Sequence, residues 1–484
     1  MPHKRPIHQP RCRHGVAVAA TGSHKKLWIG FSWAIMVASP TWGISLLPEM
    51  THPHPISPKT YPFHVAYAYG QAIDIDTDAL QLYGTKSQLS LGWQGIWENT
   101  KLGTLGWWGQ HIGKIYYHDG DTDVSAQNAV TTKGIQMTLQ HEWMEGQLLM
   151  KALESGNQTI TLPTYDVVLG SALKVGLFSE SDAWVHNVDG HLSGTPLTYI
   201  VHTTSRKEGW MTKLALWDWQ LGYRMGTASL TSPDHTDTGQ LRLTGSGQHY
   251  RLFAQTGVAP VLRFETEQNT LSGQGQLLST HQDLQASLNW ALFTHRRTAF
   301  TLIWGTGQQN NWSITLEDLG IQLDNSTLQT TPLWEGDGAS AIGRKHFTNE
   351  HTDYRLQQVT AGWAAEEGFS GSLTLGRLAF LGHYREYETP LFFTYYLGSY
   401  TADIEELDYL SLRLRHLWKV TPNTHFFVEG RQFLPFRIVK AVLPNTSEND
   451  GDTDESDTQK SNTEDVSGFR WSGLMWTIGF QQFF

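Results

Sequence analysis

The sequence holds one cysteine, Cys12, in 484 residues, which excludes a disulfide framework and a cysteine-built zinc site. Beyond its first fifty residues it has no apolar run of the roughly 20 residues that a membrane-crossing helix needs. No segment repeats apolar residues at helical spacing over any length, so long amphipathic helices are not expected. Positive charge is scarce: 35 Lys and Arg stand against 46 Asp and Glu, a formal net charge of −11, which argues against nucleic acid as a partner. The G-x-S-x-G, H-E-x-x-H and Walker patterns are missing, and the 22 histidines are scattered. No catalytic residue, metal site or cofactor is therefore assigned.

What the sequence has in quantity is Gly (46), Trp (20), Tyr (17) and Phe (20). Residues 1–43 divide into a basic leader with Lys4, Arg5, Arg11 and Arg13, then Lys25 and Lys26, an apolar run from Leu27 to Ala38, and Thr41 and Gly43 around a cut, the layout of a secretory signal. Its loss removes six Lys or Arg and no acid, so the charge becomes 29 minus 46, or −17. Residues 44–62 carry Pro48, Pro53, Pro55, Pro58 and Pro62, a spacing that forbids helix and central strand and predicts an extended tail. His52 and His54 within it are too few to hold a metal. Residues 63–484 are the remaining domain.

The last sixteen residues decide what that domain is. Leu474, Trp476, Ile478, Phe480, Gln482 and Phe484 share one face, and Gly473, Met475, Thr477, Gly479, Gln481 and Phe483 share the other. Period two means strand, and large apolar side chains on one face with small or polar ones on the other suit a wall with lipid outside and water inside. Trp476, Ile478, Phe480 and Phe484 resemble the C-terminal signature of bacterial outer-membrane β-barrels, by which the insertion machinery recognises the last strand; Gln482 departs from it. The resemblance implies an all-β, antiparallel, up-and-down transmembrane barrel in the bacterial outer membrane, with lipid and lipopolysaccharide as surroundings.

Short alternating segments recur from Tyr61 onward: Phe63, Val65, Tyr67 and Tyr69; Leu89, Leu91 and Trp93; Ile135, Met137 and Leu139. One strand is read near 210–225, with Trp217, Trp219, Leu221 and Tyr223 on a face, and others at 248–257, 284–294, 298–306, 353–365, 369–381, 405–419 and 423–435. Barrels of this kind alternate short periplasmic turns with longer external loops. Counting back from the C-terminus predicts external loops 436–468, 382–404 and 323–352, and turns at Thr421-Pro422-Asn423-Thr424, Glu366-Glu367-Gly368 and Gly245-Ser246-Gly247. The alternation breaks at 114–131, which falls on the periplasmic side, so one strand is miscounted. About nineteen candidates and the even-number rule give 18 strands, with 16 as the alternative.

Acidic triplets Asp74, Asp76, Asp78; Asp119, Asp121, Asp123; and Asp450, Asp452, Asp454 begin like calcium loops, but the last has Glu455 and Ser461 where Gly and Glu belong. The interior is better marked. Leu410, Leu412 and Leu414 alternate with Ser411, Arg413 and Arg415, and Phe426 and Val428 alternate with Glu429 and Arg431. An arginine on the lipid face near the midplane costs about 2–4 kcal/mol, so these charges belong in the lumen. By the same parity Arg224 and Arg242 join them as pore-lining candidates. A basic ladder favours small polar and anionic solutes; the competing role is mutual pairing, as of Arg431 with Glu429. Glu406-Leu407-Asp408, Arg413, Arg415, Thr421-Pro422 and Phe433-Leu434-Pro435 resemble the closing hairpins of alginate-export-type barrels, which implies an anionic polysaccharide as cargo. Three functions follow in order: a channel, a non-conducting surface barrel whose external loops bind, and an outer-membrane enzyme.

Overall fold

The computed structural model describes residues 63–76, 80–97, 99–119, 122–192, 195–232, 240–257, 260–278, 285–305, 310–330, 343–365, 368–390, 395–438, 441–444 and 474–484. The expected leader 1–43, the Pro-rich tail 44–62 and the acidic triplet of 450–454 lie outside the described residues, as do Asp78 and Asp121.

Nineteen strands follow one another: β1 (Phe63–Asp76), β2 (Leu80–Trp97), β3 (Thr100–Asp119), β4 (Thr122–Gln140), β5 (Met144–Ser155), β6 (Gln158–Gly170), β7 (Leu173–Leu192), β8 (Thr195–Leu216), β9 (Trp219–Thr231) and β10 (Gln240–Thr256). After them come β11 (Val261–Leu278), β12 (Gln285–Gly305), β13 (Asn310–Thr330), β14 (Gly343–Ala365), β15 (Gly368–Pro390), β16 (Tyr395–Thr421), β17 (Thr424–Ile438), β18 (Ala441–Pro444) and β19 (Leu474–Phe483). The four-residue β18 only edges the far end of β16, so the wall has 18 strands, each antiparallel to its neighbours. A two-residue parallel bridge between β8 and β10, Gln240 with Ile200 and Leu241 with Val201, closes the gap above the end of β9.

Closure is made at β1 and β19, where Tyr67 faces Phe480 and Tyr69 faces Ile478. Phe484 N–H donates to the Phe63 carbonyl at 2.9 Å and Phe63 N–H to the Phe484 carbonyl at 3.4 Å. A sheet closed in this way has no edge, so the backbone groups of the wall are satisfied without water.

The register sorts outward from inward residues, and across β12 to β16 it gives whole rows. Trp304, Trp312 and Trp363 make the outward row nearest the short turns; then come Leu302, Ile314, Ala361, Leu373 and Leu412, and then Phe300, Leu316, Val359, Leu375 and Leu410. The next row is polar: Thr298, Asp318, Gln357, Arg377 and Asp408. Elsewhere the outward charges Lys133–Glu154 and Arg206–Glu208 also stand beyond the apolar residues of their strands, on the loop side. Three or four outward apolar residues per strand amount to roughly 20 Å of strand. Aromatic pairs bound the band: Trp312 with Trp363 and Trp418 with Phe426 at the turn end, Tyr69 with Trp476 and Trp210 with Tyr223 toward the loops.

Several expectations are corrected. Residues 210–225 are two strands, β8 and β9, joined by a tight turn at Trp217–Asp218 in which Trp217 takes a φ of 50° and is 91% exposed. The segments 284–294 and 298–306 are one strand, β12, which the adjacent Arg296 and Arg297 cross by pointing to opposite faces. Gly245-Ser246-Gly247 is not a turn but the middle of β10; a Cβ on Gly247 would lie 1.6 Å from the Thr270 carbonyl oxygen of β11, so glycine serves close strand approach there. The segment 114–131 is the loop-end hairpin of β3 and β4. Beyond the apolar band strands run on: β15 to Pro390, β16 from Tyr395, β13 to Thr330 and β14 from Gly343, so the connections are shorter than 382–404 and 323–352.

Candidate functional site

The inward faces of β16 and β17 bring the arginine ladder together. Tyr409, Ser411, Arg413 and Arg415 alternate with outward Leu410, Leu412 and Leu414, and register sets Arg413 opposite Arg431 and Arg415 opposite Glu429. Each cation engages a residue displaced by two from its direct partner. Arg413 donates from Nε and Nη2 to the two Glu429 carboxylate oxygens, both at 2.8 Å. Arg431 Nε donates to Ser411 Oγ at 3.1 Å, and the Arg415 guanidinium lies 4.4 Å from the centre of the Phe427 ring. Glu429 thus takes its bidentate pair from Arg413, while Arg431, the partner the sequence suggested, stands opposite Arg413 in the same row. Among the described residues the patch holds three guanidinium groups and one carboxylate, 3 minus 1, a charge of +2.

Arg224 also faces inward, from β9, but in a different environment. It bonds Glu180 through Nη1 and Asp166 through Nη2 at 3.1 Å, and lies 5.3 Å over the Phe178 ring. Arg251 stands opposite Arg224 and lies 3.9 Å from Glu180, so two guanidinium groups share the two carboxylates and the site is balanced rather than basic. Arg242 does not belong to the interior: its register puts it on the outward face with Thr244 and Ser246, while Leu243 turns in against Leu230 and Trp290. The reason is that beyond the apolar outer band leucines pack inside the barrel, so a leucine no longer marks the lipid face.

Sequence reasoning missed most of the lumen charges. From β5 to β12 they reach over two or three strands: Lys174 and Lys213 to Glu145 at 2.6 and 2.7 Å, Lys151 to Asp182 at 2.8 Å, Lys207 to Glu267 at 2.5 Å. Arg251 and Arg263 hold Glu265 at 2.6 and 3.0 Å, and Arg297 donates to Glu317 at 2.6 Å. The signal was present in Arg263, Glu265 and Glu267, which alternate with Phe264 and Thr266. Farther toward the loops the inward side is apolar, with Leu319, Leu356, Tyr409 and Phe433 packed around Leu378, and Val130, Leu153, Ile160, Leu162 and Ala183 in another cluster.

Trp476, Ile478 and Phe480 point outward from β19, and Gln482, where the C-terminal signature is broken, accepts a hydrogen bond from Thr424 Oγ1 at 2.6 Å. Among the described residues no group of three or more His, Cys, Asp or Glu is arranged to hold a metal ion.

No family model matches the chain, and no curated protein matches it. Solved structures do. OccAB3 of Acinetobacter baumannii is 8% identical over 88% of this chain and 99% of that one, with a TM-score of 0.34. OmpF of Salmonella typhi, solved in complex with daunomycin, is 10% identical over 89% and 99%, with a TM-score of 0.31. CymD, a monoaromatic hydrocarbon channel, is 10% identical over 88% and 89%, with a TM-score of 0.29.

Proposed function

We propose that the protein is a channel of the bacterial outer membrane that passes small polar solutes and prefers anions. The observation that carries this reading is the inverted wall: outward rows of Leu, Ile, Val and Phe between aromatic borders, and inward rows that bear the charges. In water such an outer surface would be an aggregation hazard, whereas in a bilayer it is the favourable arrangement. Preference for anions rests on the +2 patch of Arg413, Arg415, Arg431 and Glu429, because cations lining a constricted low-dielectric path raise the local concentration of anions. Polysaccharide as cargo rests only on the short resemblance around residues 406–435.

The test is conductance of refolded residues 44–484 in a planar bilayer, with the reversal potential read under a potassium chloride gradient. A stable conductance that reverses toward the chloride potential supports the reading. An inserted but silent barrel would sink it and favour a surface-binding role. That second role draws on strand length: β14, β15 and β16 run 23, 23 and 27 residues, where crossing takes about 9–11, so they carry the wall well past the apolar band.

A further inference from the structure

The outer face of β12 to β15 has a feature that solute passage does not use. One row beyond the polar row, Arg296 of β12 stands opposite Gly320 of β13, which stands opposite Arg355 of β14. The two cations are two strand spacings apart, about 10 Å, with only a glycine between them. The space over that glycine is open: a Cβ built on Gly320 meets nothing nearer than the Tyr354 carbonyl oxygen at 4.0 Å. Arg355 is held by Asp318, Nε to Oδ1 at 2.9 Å and Nη2 to Oδ2 at 3.3 Å, and its side chain is still 54% exposed. Its Nη1 donors have no partner among the described residues, and Arg296 makes no ion pair among them.

Directly below lies a groove of about 560 Å³ lined by Phe300, Leu316, Val359 and Leu375 with Asp318 and Arg377 at its upper end. Arg355 and Arg377 hold Asp318 and Asp408 in ion pairs, and Arg296, which is also within electrostatic reach of Asp318, is in no ion pair among the described residues. Asp353, one further row out on β14, bounds the site on the loop side.

We propose that this face binds a phosphorylated, acylated lipid of the surrounding leaflet. Its phosphate sits over Gly320 between Arg296 and Arg355, and its acyl chain lies in the groove on Phe300, Leu316, Val359 and Leu375. Guanidinium groups match phosphate oxygens in planar, paired hydrogen bonds, and the apolar groove begins where the headgroup region ends. The inference rests on the membrane reading above but not on conduction.

The experiment is native mass spectrometry of the refolded barrel in dodecyl maltoside with added diphosphorylated lipid A. The unsubstituted barrel retains lipid; Arg296→Gln with Arg355→Gln loses affinity by roughly a hundredfold or more, since two charge-assisted contacts to the phosphate are removed together. Gly320→Leu, which fills the cradle and keeps both charges, loses binding too. Arg206→Gln, an outward cation of β8, leaves it unchanged. Retention by the double variant, or equal loss in Arg206→Gln, overturns the proposal. Conductance measured on the same preparations separates the two readings: a silent barrel that binds lipid through Arg296 and Arg355 keeps this inference and loses the channel.

Discussion

Phe178 on β7 and His249 on β10 stand three strands apart, yet their rings meet edge to face at 5.6 Å. The inward row between them explains how: Phe178 is opposite Gly209, Gly209 opposite Gly226, and Gly226 opposite His249. Three strand spacings are about 14 Å, so the rings reach each other across the two glycines, from which nothing projects into the space between them. Both side chains are buried, and His249 Nδ1 lies 2.7 Å from Asn269 Oδ1. Three ion pairs that each span three strands, Lys213 to Glu145, Arg224 to Asp166 and Lys207 to Glu267, lie in the same sector. This part of the barrel carries a second layer of side chains on its inner surface.

Placing a side chain in that gap disrupts it. Gly226→Leu puts a Cβ 2.0 Å from the Glu208 carbonyl oxygen and 2.8 Å from the Gly209 Cα, both backbone atoms of β8, so the strands must part and the Phe178–His249 contact opens. Overpacking of this kind costs about 1–3 kcal/mol, or more where backbone must move. The urea midpoint of the folded barrel in detergent is expected to fall, and Gly245→Leu, whose Cβ meets its nearest backbone atom at 3.2 Å, to lower it less. Equal midpoints for the two would remove the special role of the glycine pair.

The arginine patch makes a prediction of sign. Replacing Arg413 and Arg415 with Glu changes its count from three cations and one anion to one cation and three anions, +2 to −2. Reversal potentials under a salt gradient are expected to move from the anion side to the cation side. Unchanged selectivity would leave both arginines as partners of Glu429 and Phe427 and place the selecting charges elsewhere.

Glu429→Gln acts in the opposite direction. The amide keeps the shape and one acceptor for Arg413 but removes the carboxylate that the described patch contains, taking its count from +2 to +3. Anion preference should rise, while the loss of a charge-assisted bidentate pair costs about 1–3 kcal/mol. A variant with lower stability and the same reversal potential would make the pair structural alone.

The final strand, the outward rows and the inward set of Arg413, Arg415, Glu429 and Arg431 were legible because in the apolar band each strand obeys a strict rule of two. The rule fails in identifiable ways. The Trp217–Asp218 turn has neither Gly nor Pro, and Trp217 and Trp219 keep the same parity across it, so two strands read as one. Arg296 and Arg297 read as a break because two adjacent cations look like a loop, although one faces out and the other pairs with Glu317 inside. Arg242 was placed by its leucine neighbours in a region where Leu243 packs inward with Trp290. Contacts across two or three strands, such as Lys207 with Glu267, depend on wall curvature, which alternation does not encode.

The C-terminal residue separates assembly from stability. Phe484 closes the wall through its backbone, donating to the Phe63 carbonyl at 2.9 Å, while its side chain is 61% exposed. Phe484→Ala therefore keeps both seam hydrogen bonds and removes only an outward ring. If that ring serves recognition by the insertion machinery, purified Phe484→Ala refolds in detergent with the unsubstituted urea midpoint, yet accumulates in the outer membrane of expressing cells at a reduced level. If it serves the seam, through packing at the base of β1 and β19, the midpoint falls as well, by the roughly 1 kcal/mol that a mostly exposed aromatic contributes. Measuring both quantities on one variant decides between the two, because only recognition leaves the refolded barrel untouched.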